Sequence, residues 1–331
     1  MVHALRRTLV VGAAIVAAAC GSSQPSEPIV IDGSSTVFPL SEAMAHGFLE
    51  RHAGAQVTVT YSGTDTGFEK FCGDRLDIVD ASRPITVHEQ EACAANKVEF
   101  IELPVARDAI TVIVNAKNTW AESMTVAELR ALWAPEADTK VTKWSQVRKG
   151  WPDQNIALFG PGAESGTFDY FTAAINGGAR ASRKDYTSSG DDSTIINGVA
   201  ADQFALGYVG YGYYERAKNR LKSVAIDDLD DSIGQGPILP SPQSVGRGVY
   251  RPLSRILFIY VNNSRTKRPD VRALVDDYLR HAGERAAQVG TIALMSNVYD
   301  LARQRFTKRR TGTMYGSPSA AELGIEYLLT Q

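Results

Sequence analysis

Histidine and cysteine are scarce, five and three residues among 331. No Cys-x-x-Cys occurs, and His88 is the one histidine between Cys72 and Cys93, so zinc and calcium chemistry lack their ligand spacings and neither a metal nor a cofactor is expected. His3, His46, His52, His88 and His281 fall in no recognisable catalytic motif, which leaves a serine nucleophile without an evident base. Basic runs are missing except for Lys308-Arg309-Arg310, and the net charge is −2, so nucleic acid is excluded as an expected partner. There is no solenoid-type repeat, and the one long apolar stretch, Leu9 to Ala18, falls short of the ~20 residues that span a bilayer. What remains is an ordinary globular composition, 44% hydrophobic and 22% charged with a mean hydropathy of −0.16, in a chain long enough for two cores.

The first nineteen residues read as an export signal: Arg6 and Arg7, the apolar Leu9 to Ala18, then small residues before Cys20. Cys20-Gly21-Ser22-Ser23 after Ala17-Ala18-Ala19 resembles a bacterial lipoprotein box, although Ala17 stands where leucine is commoner. That resemblance implies a lipid on Cys20, cleavage before it, and a mature protein tethered to the membrane by a polar linker ending at Pro28. Cys72 and Cys93 are then an even pair in an oxidising compartment, and a disulfide between them is expected.

The remaining chain repeats one grammar of strand, polar turn and helix. Ile29-Val30-Ile31 runs into Asp32-Gly33-Ser34-Ser35-Thr36, and Pro39, Leu40, Met44 and Phe48 open a helix with Ser35 or Thr36 at its N-cap. Ile156 to Phe159 runs into Gly160 to Gly166, followed by a helix with Phe168, Phe171 and Ile175 on one face. A helix N-terminus carries unpaired N–H groups and about half a positive charge, so each turn is suited to an anion without a basic side chain. Val57 to Tyr61 leads into Ser62, and Leu76 to Val79 into Asp80-Ala81-Ser82-Arg83-Pro84, where Pro84 keeps Arg83 extended. Ligands of open α/β sheets bind beyond the carboxyl ends of strands, so these turns are expected to meet. Phe100 to Val105 and Ile110 to Asn115 read as two strands parted by Ala106-Arg107-Asp108-Ala109, and Ala286 to Leu294 reads as a helix.

Asp32-Gly33-Ser34-Ser35-Thr36-Val37-Phe38-Pro39, Asp80-Ala81-Ser82-Arg83-Pro84 and Glu164-Ser165-Gly166-Thr167-Phe168, with Tyr208-Val209-Gly210-Tyr211 and Pro252-Leu253-Ser254 in the same order, resemble the phosphate-binding proteins of bacterial ABC-type phosphate uptake systems. The resemblance covers nearly the whole mature chain. It implies an α/β, two-lobed periplasmic-binding-protein fold of the second class, each lobe a mixed sheet flanked by helices, with two interlobe crossings. The divisions expected are residues 1–19 as signal, 20–28 as linker, 29–106 with 248–331 as the first lobe, and 107–247 as the second. It further implies a monomeric, lipid-anchored, extracytoplasmic receptor, periplasmic or on the outer face of the cell membrane, that delivers inorganic phosphate to a membrane permease.

Carried over by motif, the phosphate ligands are Ser35, Thr36, the amide of Val37, Ser62, Ser165, Gly166 and Thr167. Two departures matter. Gly160-Pro161-Gly162-Ala163-Glu164 lacks the arginine that many members carry there, and Arg83 stands where many have aspartate, so Arg83 is expected to supply the cation. Hydrogen phosphate offers a proton that sulfate lacks, so a carboxylate acceptor is expected, with Asp80, Asp65 and Asp192 as candidates. The rival readings are a secreted serine hydrolase or phosphatase-like enzyme using Ser165, a binder of another tetrahedral oxyanion, and an adhesive lipoprotein. The serine of Gly162-Ala163-Glu164-Ser165-Gly166 sits one place late for a nucleophile elbow, so binding without chemistry is favoured.

Overall fold

Each parallel strand of the main sheet runs through a turn into a helix. The computed structural model describes residues 27–163, 165–316 and 324–330, so the signal, Cys20 and Glu164 lie outside the described residues. In chain order the first half comprises β1 (Ile29–Gly33), α1 (Phe38–Arg51), β2 (Val57–Val59), α2 (Thr64–Cys72), β3 (Ile78–Ala81), α3 (Val87–Ala95) and β4 (Phe100–Asn115). There follow β5 (Ser123–Thr125), α4 (Val126–Trp133), α5 (Trp144–Val147), β6 (Ala157–Pro161), α6 (Gly166–Asn176), β7 (Thr187–Ser189), α7 (Asp192–Ala201), β8 (Ala205–Gly210) and α8 (Tyr211–Ala217). The chain ends through β9 (Leu221–Ser223), β10 (Ala225–Asp227), α9 (Pro242–Gly246), β11 (Ser254–Asn262), α10 (Pro269–Ala286), α11 (Ser296–Thr307) and α12 (Ile325–Thr330).

The strands form one continuous mixed sheet in the order β2-β1-β3-β11-β4-β8-β6-β7, with β9 also on β4 and β5 paired apart with β10. β1, β2 and β3 are mutually parallel, as are β6, β7 and β8, while β4 and β11 run antiparallel to their neighbours. Each parallel set therefore presents its turns along one edge. Two cores lie on this sheet. Phe48, Phe68, Leu103, Ala106, Leu257 and Tyr278 belong to the first, and Ala109, Val112, Trp133, Phe171, Tyr208 and Leu253 to the second. A smaller cluster around Ile113, Val199 and Val209 fills the opposite face of the second half.

The two strands expected on either side of residues 106–109 are one sixteen-residue strand. Arg107 and Asp108 interrupt the apolar pattern without interrupting the ladder, because β11 pairs across them as far as Ala109 and β8 takes over from Ile110. The core changes along this stretch while the backbone does not break. The helix expected over 286–294 is absent for a local reason: α10 stops at Ala286, and Gly290 at φ +86° cannot continue it. Instead Ile292 exchanges two backbone hydrogen bonds of 2.8 Å with Arg107, which straps this loop beside β4.

Cys72 at the end of α2 and Cys93 in α3 form the expected disulfide, 21 positions apart. Closing a loop of that size stabilises by about 3 kcal/mol in the chain-entropy account. Replacing both by serine is expected to lower the unfolding free energy by ~2–4 kcal/mol, read from urea unfolding. The turns described next are expected to keep their geometry, since neither sulfur touches them.

Candidate functional site

The turn after β1 is shaped by what surrounds it. Gly33 has φ +138°, and a Cβ there would lie 2.2 Å from the carbonyl oxygen of Asp80, so only glycine lets the chain pass β3. Ser34 N–H donates to that carbonyl at 2.9 Å, and Ser34 Oγ accepts from Thr36 N–H at 3.2 Å. The N-cap of α1 is Val37, which makes no side-chain cap, rather than Ser35 or Thr36. The consequence favours binding: the hydroxyls of Ser35 and Thr36 are not consumed in capping. Val37 N–H already donates to Ser34 O at 3.2 Å and its side chain is wholly buried, so the expected Val37 amide is not available as the fold stands. Ser35 N–H makes no hydrogen bond among the described residues.

The turn after β6 comes from the other half of the molecule. Ser165 caps α6, its Oγ accepting from Thr167 N–H at 3.2 Å, while Gly166 N–H has no partner among the described residues. A Cβ built on Gly166 would sit 2.9 Å from Thr36 Oγ1 and 3.3 Å from Ser35 Oγ. The starts of α1 and α6 therefore face each other at van der Waals range, two positive helix ends converging on one gap.

A cation that the sequence reading missed stands in that gap. Arg255 of β11 donates from Nη2 to Thr36 Oγ1 at 3.0 Å and from Nε to Asp108 Oδ2 at 3.1 Å. Its guanidinium lies 4.2 Å above the ring of Tyr170, whose hydroxyl donates to Pro252 O at 2.6 Å. Because Thr36 Oγ1 accepts from Arg255, its own proton is left to donate to an anion. The signal was weak in sequence: Thr36 and Arg255 are 219 positions apart.

The other expected residues are placed as follows. Arg83 donates to both carboxylate oxygens of Glu89, at 2.7 and 2.8 Å, and to Asp65 at 2.6 Å. Arg83 is thus held by two carboxylates, and no hydrogen bond joins it to Thr36 or Gly166 among the described residues. Ser62 donates to Asp32 Oδ2 at 3.0 Å, a carboxylate that Lys70 also contacts. Burial raises the pKa of Asp32, but Lys70, Ser62 and the Gly33 N–H outweigh it and hold the group below its usual range. Ser62 thus borders the first turn with its proton directed away from the gap.

Of the three candidate acceptors, Asp65 has a side chain 90% exposed and is paired with Arg83. Asp192 opens α7, where burial and then the neighbouring charge of Asp191 push it up to about 6. Asp80 is fully buried under α1, one oxygen accepting from Ser41 Oγ at 2.8 Å and the other without a partner. Burial, with the charge of Asp32 adding to it against the Ser41 bond, pushes Asp80 up to about 8. None of these three is shown touching Thr36 or Gly166.

A carboxyl with a raised native pKa holds a proton that the unfolded chain has released, so its contribution to stability falls as pH rises from about 4 towards 8. Asp80→Asn keeps the acceptor for Ser41 and removes the titration. Its unfolding temperature is expected to decline less steeply than the parent's between about pH 4 and 8, measured by thermal melts across that range.

The described histidines offer Ser165 no base. His46 pairs with Glu50, His52 and His281 bond carbonyls of their own helices, and His88 lies on α3, all on or beside helices that pack on the first core. No group of three or more His, Cys, Asp or Glu able to hold a metal occurs among the described residues. Tyr208 and Tyr211 are core residues, Tyr208 stacked on Phe171 at 3.8 Å. Tyr213 is 41% exposed under Arg216.

Residues 18–281 match the model of a PBP superfamily domain. The chain is 46% identical over 312 residues to the protein SphX of Synechocystis sp., covering 94% of this chain and 91% of that one. It is 30% identical over 306 residues to the phosphate-binding protein PstS of Staphylococcus haemolyticus, covering 88% and 92%. A solved structure, that of a possible phosphate binding protein from Planctomyces limnophilus, is 42% identical with a TM-score of 0.77, covering 87% of this chain and all of that one.

Proposed function

Since the chain belongs to the PBP superfamily, in the group that holds SphX and the phosphate-binding PstS proteins, we propose that it captures inorganic phosphate in the gap between α1 and α6. It is a solute-binding receptor of the ABC phosphate-transport family, not an enzyme. The observation that carries the site is the contact of Thr36 and Ser35 with Gly166 across the two halves, with Arg255 in the same gap.

The ligand set of the proposal is the hydroxyls of Ser35 and Thr36, the N–H groups of Ser35 and Gly166, the Ser165 and Thr167 hydroxyls, and the Arg255 guanidinium. Ser62 supports the first turn through Asp32. Residues 29–106 with 248–331 and residues 107–247 act as two lobes. Supporting this, the core changes between Ala106 and Ala109 on the way out and between Leu253 and Leu257 on the way back. Tyr250, Leu253 and Ile292 pack with the second core. Phosphate binds the closed arrangement more tightly than the open one and shifts the population towards it, and a membrane permease reads that closure. The protein works outside the cytoplasm, as a monomer held by a lipid on Cys20. No helix among the described residues is long and apolar enough to cross a membrane.

Titration calorimetry of ligand-stripped protein with inorganic phosphate tests this. The expected result is one ion per chain, and stabilisation of about 2.7 kcal/mol at a hundredfold excess over Kd. Absence of both binding heat and thermal shift would overturn it.

A further inference from the structure

We propose that the end of the first half from which the N-terminal linker leaves is a docking face for an anionic lipid surface, and that it stands the protein on the membrane with the gap held clear of the headgroups. The inference rests on the reading of Cys20 as a lipid anchor. Ser35 and Thr36 follow the last residue of β1, whereas this face gathers at the other ends of the strands, where the start of β4 pairs with the end of β11 through Phe100 and Asn262. Two further segments are tied onto that edge. The short turn Arg265–Lys267 follows β11, and the residues after α11 reach back to it. There Gly312 N–H donates to Phe100 O at 2.9 Å and Arg309 Nη2 to Asn263 O at 3.1 Å.

Positive charge collects on this edge. Lys97, Lys267 and Arg309 line one groove of about 880 Å³ between α3, the start of β4 and the Arg265–Lys267 turn. Arg272 adjoins them, donating to Thr266 O at 2.6 Å and to Lys267 O at 3.0 Å, and Lys308 precedes Arg309 in the one basic run of the sequence. Arg272 and Arg309 bond only carbonyls and the Thr266 hydroxyl, so their charge is not neutralised among the described residues. Arg265 and Arg268, at the same end, are instead paired with Asp74, Asp77 and Asp270. Glu91 and Glu99 also line the groove, and Glu99 accepts from Asn263 Nδ2 at 2.9 Å. Two carboxylates against the five cations leave the face positive.

The place where the chain leaves decides what lies against this face. Arg268 Nη2 donates to the carbonyl of Glu27, the first described residue, so the linker departs beside the Arg265–Lys267 turn. Cys20 is seven positions earlier and reaches at most about 25 Å along a fully extended chain. A lipid on Cys20 therefore holds this end near the headgroups, where each added cation strengthens attachment to an anionic surface by about fivefold. The whole chain carries −2, so such a surface repels the molecule overall and attracts it here, which fixes an orientation. Docked by this end, the two anion-ready turns lie beyond the opposite ends of the strands and away from the headgroup phosphates.

Sedimentation with lipid vesicles tests the proposal on the chain from Gly21, which holds every described residue and has no Cys20 to carry a lipid. Vesicles of equal parts phosphatidylglycerol and phosphatidylcholine are expected to bind it at least ~100-fold more tightly than phosphatidylcholine alone, and raised salt is expected to abolish the difference. Lys97→Gln, Lys267→Gln and Lys308→Gln together remove three exposed charges and are expected to lower that binding by about 100-fold. Lys140→Gln, Lys149→Gln and Lys184→Gln make the same change in net charge on exposed residues of the second half and are expected to keep parental binding. Thermal melts of both triple variants are expected to match the parent. Equal affinity for the two kinds of vesicle, or equal loss in the two triple variants, overturns the proposal. Binding of poly-glutamate without binding of the mixed vesicles assigns the face to an acidic protein and overturns it as well. The mass of Cys20 in full-length protein extracted from membranes tests the anchor separately: an unmodified cysteine overturns the anchor reading, while the vesicle arms, which need no lipid on the protein, decide the face.

Discussion

Gly166→Val is expected to reduce phosphate affinity by roughly 100-fold or more, about 2.7 kcal/mol, while leaving the protein folded. A Cβ at this position already falls 2.9 Å from Thr36 Oγ1, closer than packed atoms approach, and valine adds two methyl groups. Thr36 cannot simply swing aside, because its oxygen is held by Arg255 at 3.0 Å. The clash is therefore relieved by holding the two helix starts apart, which is the arrangement that binds one ion least well. Residue 166 is the first residue of α6 and has no positive φ, and glycine is a poorer helix former than valine, so the local backbone cost of the change is well under ~1 kcal/mol. Calorimetry beside a thermal melt separates the two effects. Gly166→Ala, with one methyl group, is expected to fall between valine and the parent.

Arg255→Ala is expected to cost about 1,000-fold in phosphate affinity. The variant loses a charge-assisted hydrogen bond to the ion, worth about 1.5–3 kcal/mol, and uncovers the Asp108 carboxylate at the edge of the gap, where it repels the anion. It also leaves Asp108 unpaired and largely buried, a change that destabilises by ~3–5 kcal/mol when the charge is fully enclosed and by less at 11% exposure. The paired variant Arg255→Ala with Asp108→Asn is expected to regain most of that stability and none of the affinity, since the two residues form one unit. Arg255→Lys keeps the charge but loses the planar fork that reaches Thr36 and Asp108 together, and falls between the two. Unfolding in urea and calorimetry on the same samples check all three.

How far these features were legible follows from how local each is. The two anion-ready turns, α1 and α6 behind them, and the Cys72–Cys93 pair are written in neighbouring residues, and the sequence shows them directly. The unbroken β4 is not local. Arg107 and Asp108 look like a loop until β11 is laid beside them and Arg255 is seen to neutralise Asp108 from 147 positions away. The same distance hid the cation: Arg83 had the right motif position, but Glu89 and Asp65 had prior claim on it through contacts no motif displays. The local pattern puts Ser35 or Thr36 at the cap of α1, whereas the Ser34 carbonyl closes the first turn onto Val37 and Phe38 and leaves the Ser35 and Thr36 hydroxyls out of the cap. The loop after Ala286 has helical composition, and only the φ of Gly290 and the pairing of Ile292 with Arg107 explain why it is a strap.

The account rests on one tetrahedral ion held from both halves of the molecule at once, and a crystal structure of the protein grown with phosphate tests that most directly. It predicts a single ion bonded by Ser35 or Thr36 on one side, by Gly166 or Thr167 on the other, and by Arg255. An ion bound to only one of the two turns, or seated elsewhere while Thr36 and Gly166 keep their contact, would contradict it.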